Sequence, residues 1–207
     1  MKDFVNSALK KVKKKNKIKV LDIGCNDGTL LDIFKNKGCI TYGVEPTNAY
    51  KDGLKNGHKI FNCFFDYRNS KIIKKKIKDV DIITFTNVFA HIDNLGELLR
   101  SLQNILSKNT IIIIENHYLG DVVHKNQFDT FYHEHPRTYS LKSFLGIAKK
   151  TNLKVDDVQF VKRYNGNIRV FLKKGIKNNP KIIKIIEKEK GLKEKIYKFQ
   201  KKLNIWK

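Results

Sequence analysis

Five short apolar runs, IKVLDIG, ITYGVEP, KIFNCFF, DVDIITFTNV and TIIIIEN, recur between residues 18 and 116, separated by segments of helical periodicity. This rhythm constrains the fold more than any other feature. A chain that alternates strand and helix builds parallel strands joined by crossover helices. The last run is apolar on both faces, as a strand covered on both sides of a sheet must be. The spacers fit the same scheme: TLLDIFKNKG has a helical period stopped by Gly38, TNAYKDGLKNG ends at Gly57, and DNLGELLRSLQNILSK is a helix with Asp93 or Asn94 as its cap.

After TIIIIEN the rhythm changes. Residues 116–139 form a long polar and aromatic excursion, and long ordered insertions are often functional. A helix is expected from a Ser140 cap to about Lys150. KVDDVQFVKRYNGNIRVFLKK then gives two strands around Asn165-Gly166, a dipeptide suited to positive φ. Five parallel-type units and a hairpin predict an α/β, doubly wound, Rossmann-like sheet of seven strands. It is like the class I S-adenosylmethionine (SAM)-dependent methyltransferase sheet, with a helical tail after it. Residues 1–17 read as an amphipathic helix with Phe4, Val5, Ala8, Leu9 and Val12 on one face, 18–175 as the domain, and 176–207 as a lysine-rich helical tail.

The net charge of +23 suggests nucleic acid until it is mapped. Residues 1–19 contribute +7 and residues 173–207 contribute +10, which leaves +6 for everything between. Five of the 43 basic residues are Arg, whereas phosphate and base recognition favour the Arg fork. The charge therefore reads as solvated surface. Cys25, Cys39 and Cys63 are odd in number and form no CxxC pair, which fits free thiols in a reducing compartment. With no apolar leader and no run near the ~18 residues of a membrane span, a cytoplasmic protein is expected. The terminal helices are candidates for packing on the domain or on a second copy of the chain.

LDIGCNDGTLL places Asp22 at a strand end, then Gly24, Asn26 and Gly28 before a helix. Glycine permits the tight turn that brings backbone N–H groups against a ligand, and Asn tolerates left-handed φ. The GxGxxG fingerprint is absent, because Asn26 holds its second position. Asp22 would repel a pyrophosphate but suits a ligand bearing an amino group and a sulfonium, as SAM does. Glu45 ends the second strand and is placed to share the two hydroxyls of a ribose. Asp66 follows the third strand and is a candidate for the adenine amino group, with Phe64 or Phe65 against the ring. Asn87 ends the fourth strand, at the edge where ligands of such sheets bind.

FDTFYHEHPRTYSL, residues 128–141, gathers imidazole, carboxylate and phenol groups. A metal site lacks ligand spacing, since HExxH is missing and no cysteine is near. A hydrogen-bonded polar loop is the bland alternative. Acid/base chemistry explains more: a neutral imidazole takes a proton near pH 7, a carboxylate orients it, and a phenol polarises an oxygen gaining charge.

DIGCNDGTLL, YGVEP, NVFAHI and FDTFYHEHPRTYSL together resemble the SAM-dependent C-methyltransferases that act on nucleotide-linked deoxysugars. The likeness covers residues from about 20 to 172, and YHEH is its most specific part. It implies His135 as general base, Tyr132 and Glu134 as its active-site partners, and His91 as the histidine after the fourth strand. Those enzymes usually begin with a cysteine-rich zinc domain and continue into a second α/β domain. The expectation here is a relative without either, with Pro136 departing from the motif's flank. The resulting expectation is methyl transfer from SAM to a carbon or hydroxyl of a carbohydrate, sugar nucleotide or other small metabolite. The alternatives are a non-catalytic SAM-binding partner subunit, a nucleic-acid methyltransferase, for which TNVF is no (D/N)PPY motif, and an NAD-dependent oxidoreductase lacking its fingerprint.

Overall fold

The computed structural model describes all residues except 14–16, 132–134 and 206–207. Along the chain run α1 (Lys2–Lys10), β1 (Lys19–Ile23), α2 (Thr29–Lys35), β2 (Ile40–Val44), α3 (Tyr50–Lys55), β3 (Lys59–Phe61), α4 (Tyr67–Ile77) and β4 (Ile82–Thr86). They are followed by α5 (Leu95–Ile105), β5 (Ile111–His117), α6 (Leu119–His124), α7 (Leu141–Lys150), β6 (Leu153–Val161), β7 (Asn167–Lys174), α8 (Lys181–Ile186) and α9 (Leu192–Ile205). The strands form one seven-stranded sheet in the order β3-β2-β1-β4-β5-β7-β6. This is the class I SAM-dependent methyltransferase fold.

The chain divides into two compact units. The first, residues 1–88 and 94–113, contains the parallel pairs β1–β2, β1–β4 and β2–β3. Its strands are apolar because both faces are covered: Val20, Leu21, Ile82, Ile83 and Phe85 have no exposed surface. Helix α5 buries Leu98, Leu102 and Ile105 along one stripe, and the Asn94 side chain caps it by accepting the Glu97 N–H at 3.0 Å. Helix α4, with four lysines, still buries Ile73 and Ile77, so charge on three sides does not prevent docking of the fourth.

The second unit, residues 89–93 and 114–207, contains the end of β5 and the antiparallel pair β6–β7. Helix α7 opens on a reciprocal cap between Ser140 and Ser143. The expected polar excursion is shorter than its sequence suggests, because β5 extends to His117 and α6 follows at once. The hairpin connection is also longer than a two-residue turn. Residues 162–166 form it, and Tyr164, Asn165 and Gly166 all have positive φ, at 49°, 61° and 138°. The tail is broken into α8, a 3-10 turn at Glu187–Glu189 and α9. Glu189 sits in that break, and its carboxylate accepts the N–H groups of Leu141 at 2.6 Å and Lys142 at 3.0 Å, capping α7.

Candidate active site

Two constellations emerge, one in each unit. In the first, β1 delivers Asp22 and then a loop whose backbone is left-handed at Gly24 (φ 71°), Asn26 (φ 50°) and Gly28 (φ 88°). Gly24 is needed twice over. A Cβ there would lie 2.5 Å from Cγ2 of Val88, and the φ itself strains any L side chain. Gly24 N–H donates to the Val44 carbonyl at 2.8 Å, which ties the loop to β2.

Glu45, at the end of β2, is 5% exposed. Its two carboxylate oxygens accept the N–H groups of Asn26 and Thr47, both at 2.9 Å, so it moulds the glycine loop from below. Each oxygen keeps a second lone pair for a hydroxyl. Asp22 is 3% exposed and accepts the Thr84 hydroxyl at 2.6 Å. Burial pushes its carboxyl up to about 7, the Thr84 hydrogen bond works against that, and the Glu45 charge adds to it. No ion pair among the described residues neutralises either carboxylate. Two buried acids flanking one loop suit a cationic ligand bearing hydroxyls, which is the chemistry of SAM. The same two charges, after burial itself, hold the Cys25 thiol far above its ordinary range, so that sulfur is inert packing beside Gly43.

The remaining cofactor candidates are placed as follows. Asn87 lies just past β4 with φ 56°. Phe65 meets Phe85 edge to face at 6.5 Å, whereas Phe64 is 74% exposed. Asp66 caps α4, accepting the Asn69 backbone N–H at 2.7 Å and its side-chain amide at 3.0 Å. Each of those oxygens keeps a second lone pair for another donor.

The second constellation is imidazole-rich. Nε2 of His135 lies 3.2 Å from Nε2 of His91, and their rings meet edge to face at 4.4 Å. The His117 ring, at the end of β5, is 5.9 Å from His135 on one side and 5.8 Å from Tyr164 on the other. Partial burial lowers the His117 pKa against a weaker opposing pull from Asp129, and its Nδ1 is buried with no partner among the described residues. Arg137 clamps the strand-end segment of His91 by donating to the carbonyls of Ile92 and, at 2.8 Å, Asp93. Tyr132 and Glu134 lie outside the described residues.

The Tyr164 loop is held from several directions. Its Tyr ring carries the Arg163 guanidinium at 4.9 Å. Lys125 and Gln127 donate to the Asn165 carbonyl, and a Cβ on Gly166 would strike the Asp121 carboxylate at 2.0 Å. Beneath it, Glu115 (1% exposed) pairs with Arg169 (3%) at 2.7 Å and with Arg163 at 3.7 Å. None of His117, Tyr164, Glu115 or Arg169 was singled out from sequence. His117 obeys the strand-end rule that selected Asn87, so a signal existed; a tyrosine with positive φ has no counterpart in the sequence.

The methyltransferase domain family matches residues 1–158. The chain belongs to that family. A curated relative, C-methyltransferase NovU of Streptomyces niveus, is 29% identical over 154 residues, covering 73% of this chain and 36% of that protein. The chain therefore spans about a third of that relative's length. Among solved structures, a SAM-dependent methyltransferase from Archaeoglobus fulgidus aligns with a TM-score of 0.64 at 15% identity, covering 84% of this chain and 92% of the other. The plantazolicin methyltransferase BpumL in complex with SAH aligns with a TM-score of 0.61 at 16% identity, covering 84% and 82%. The chain is thus a methyltransferase domain with SAM as its cofactor, and the buried acids beside the glycine loop fit that ligand. No described helix is long and apolar enough to cross a membrane.

Proposed function

We propose that this domain methylates a carbohydrate or sugar-nucleotide acceptor, at carbon or hydroxyl oxygen, with His135 as the general base. The observation that carries the reading is the 3.2 Å approach of His135 Nε2 to His91 Nε2. A hydrogen bond between two ring nitrogens has one of them as its acceptor, so in this arrangement one of the two imidazoles presents an unprotonated nitrogen. His117, disfavoured as a cation by burial, adds no competing charge.

When bound, SAM supplies a methyl group already activated on sulfur. The chain's tasks are then to bind, to orient and to take a proton. Asp22 is assigned the ligand's ammonium and Glu45 its ribose hydroxyls, with Gly24, Asn26 and Gly28 shaping the loop and Phe65, Asp66 and Asn87 along the strand ends. His135 takes the acceptor proton, His91 receives or shares it across the hydrogen bond, and Tyr132 and Glu134 orient and polarise. The cofactor residues of the first unit follow the carboxyl ends of β1, β2 and β4, which is where ligands of doubly wound sheets bind. The relative's name, a C-methyltransferase, favours a carbon acceptor.

The test is a screen of nucleotide sugars with methyl-labelled SAM, followed by His135→Ala on the acceptor found. Turnover should fall by about 10²–10⁴-fold, the range of general acid–base catalysis, with SAM affinity unchanged. An active His135→Ala enzyme would remove the base assignment. A chain whose melting temperature is not raised by millimolar SAM would lose the cofactor assignment as well.

A further inference from the structure

Helix α9 lays Lys195, Lys198 and Lys202 along one face, at spacings of three and four residues, opposite the end of α6. Between them is a cleft of about 230 Å³, lined also by His124, Asn126 and Phe199. Its apolar floor is Phe199, 5% exposed, whose ring meets Phe131 at 5.7 Å. No carboxylate lines the cleft, and no ion pair among the described residues involves the three lysines; Lys202 makes a single hydrogen bond, to the Asn126 side chain at 3.4 Å. Neighbouring like charges on a helix repel. Here that repulsion is gathered around a concavity instead of being spread over solvent, so an anion seated among the lysines relieves it.

We infer that this cleft binds the phosphate groups of a small organic phosphate. Lysine ammonium groups act as point charges toward phosphate oxygens, the Asn126 amide and the His124 ring add hydrogen-bond donors, and Phe199 offers an apolar wall for the organic part. A strand of nucleic acid would need a groove that tracks its backbone over several nucleotides, whereas this concavity holds only about 230 Å³. Phe131, whose ring meets Phe199, lies four residues before His135 in the chain. A diphosphate-linked acceptor would carry the matching group, and to that extent the inference deepens the methyl-transfer reading.

The test uses inorganic pyrophosphate, which has no carbon to methylate, so its binding stands or falls apart from that reading. Calorimetry on the full chain should give saturable binding at one site per chain. The variant Lys195→Gln/Lys198→Gln/Lys202→Gln should weaken it by about tenfold or more, each charge-assisted contact being a large part of so small a ligand's affinity. The variant Lys10→Gln/Lys75→Gln/Lys149→Gln removes equal charge from dispersed exposed sites and should leave affinity within about twofold. Lys198→Gln alone serves if the triple cleft variant fails to fold, with a weakening of a few-fold expected. Absence of saturable binding overturns the inference, as does equal loss in both triple variants. So does tight binding of a single-stranded RNA or an anionic vesicle that the cleft variant abolishes while pyrophosphate binding persists.

Discussion

The glycine-loop unit and the histidine unit solve the problem of buried polar groups in opposite ways. In the first, Asp22 and Glu45 are acids with no basic partner among the described residues, satisfied by a hydroxyl and by backbone N–H groups. In the second, Glu115 is matched by Arg169 and Arg163, and the Tyr164 loop, which supplies Arg163, holds non-glycine residues at positive φ. The first unit has left a charge deficit for a ligand to fill. The second pairs its buried acid with arginine and spends conformational strain as well. A cofactor site common to a whole fold can be built into strand ends; an acceptor site that varies is carried on loops.

The largest effect should come from breaking the closed pair. Arg169→Met leaves Glu115 buried beside a more distant Arg163, and breaking a buried ion pair costs about 3–5 kcal/mol. For a chain of this length that is a fall of roughly 10 °C or more in melting temperature. Glu115→Gln/Arg169→Met should lose less than Arg169→Met alone, since no uncompensated charge remains. A double variant less stable than the single one would mean that Arg169 works by packing and not by charge, erasing the contrast with the first unit.

Next is Gly24→Ala. The added Cβ collides with Val88 at 2.5 Å and is held at φ 71°, so a loss of about 2–3 kcal/mol and weakened SAM binding are expected. Val88→Ala in the same background should return the collision's share and leave about 1–2 kcal/mol of backbone strain. Complete rescue would show that space and not conformation demands the glycine. No rescue would show the reverse.

Asp22 gives a pH signature. Its carboxyl ionises at about 7 in the folded chain against an ordinary 3.8. The ligand-free fold therefore keeps a proton that the unfolded chain has released, and this group's contribution to stability falls as pH rises from about 4 to 7. A bound cation favours the ionised form, so SAM affinity moves the other way. It should be about tenfold weaker at pH 6 than at pH 8, following the ionised fraction of a group titrating near 7. Asp22→Asn should bind weakly and without that pH dependence. An unchanged pH profile in Asp22→Asn would place the cation elsewhere.

These contrasts also explain what the sequence made legible. The βα rhythm, the Ser140 and Asn94 caps and the loop glycines are local: each is a pattern within one turn or strand, and each was readable. The strand-end positions of Asp22 and Glu45 were readable too, because strand ends are counted along the chain. The partners of His135 were not, except His91 through resemblance. His117 lies 18 residues away, Tyr164 lies 29 away, and the Glu115–Arg169 pair spans 54. Nothing in a linear pattern joins them. The α7 cap from Glu189 is hidden for the same reason, since it is supplied by a segment that reads as lysine-rich tail.

The smallest expected change in stability is the sharpest probe of how the second unit spends strain. Tyr164, at φ 49° and ψ 43°, occupies a region that costs a non-glycine residue about 1–2 kcal/mol. Tyr164→Gly removes that cost but adds about 0.5–1 kcal/mol of unfolded-chain entropy and loses the ring's contacts with His117 and Arg163. The terms nearly cancel, so the melting temperature should move by less than about 3 °C. Turnover should nevertheless fall, in kcat more than in KM, because the His117 ring loses the neighbour that fixes its tilt beside His135. A large drop in melting temperature with normal kcat would make Tyr164 a structural plug. Unchanged stability with reduced kcat would mean the strain is maintained for what the tyrosine does to the histidines.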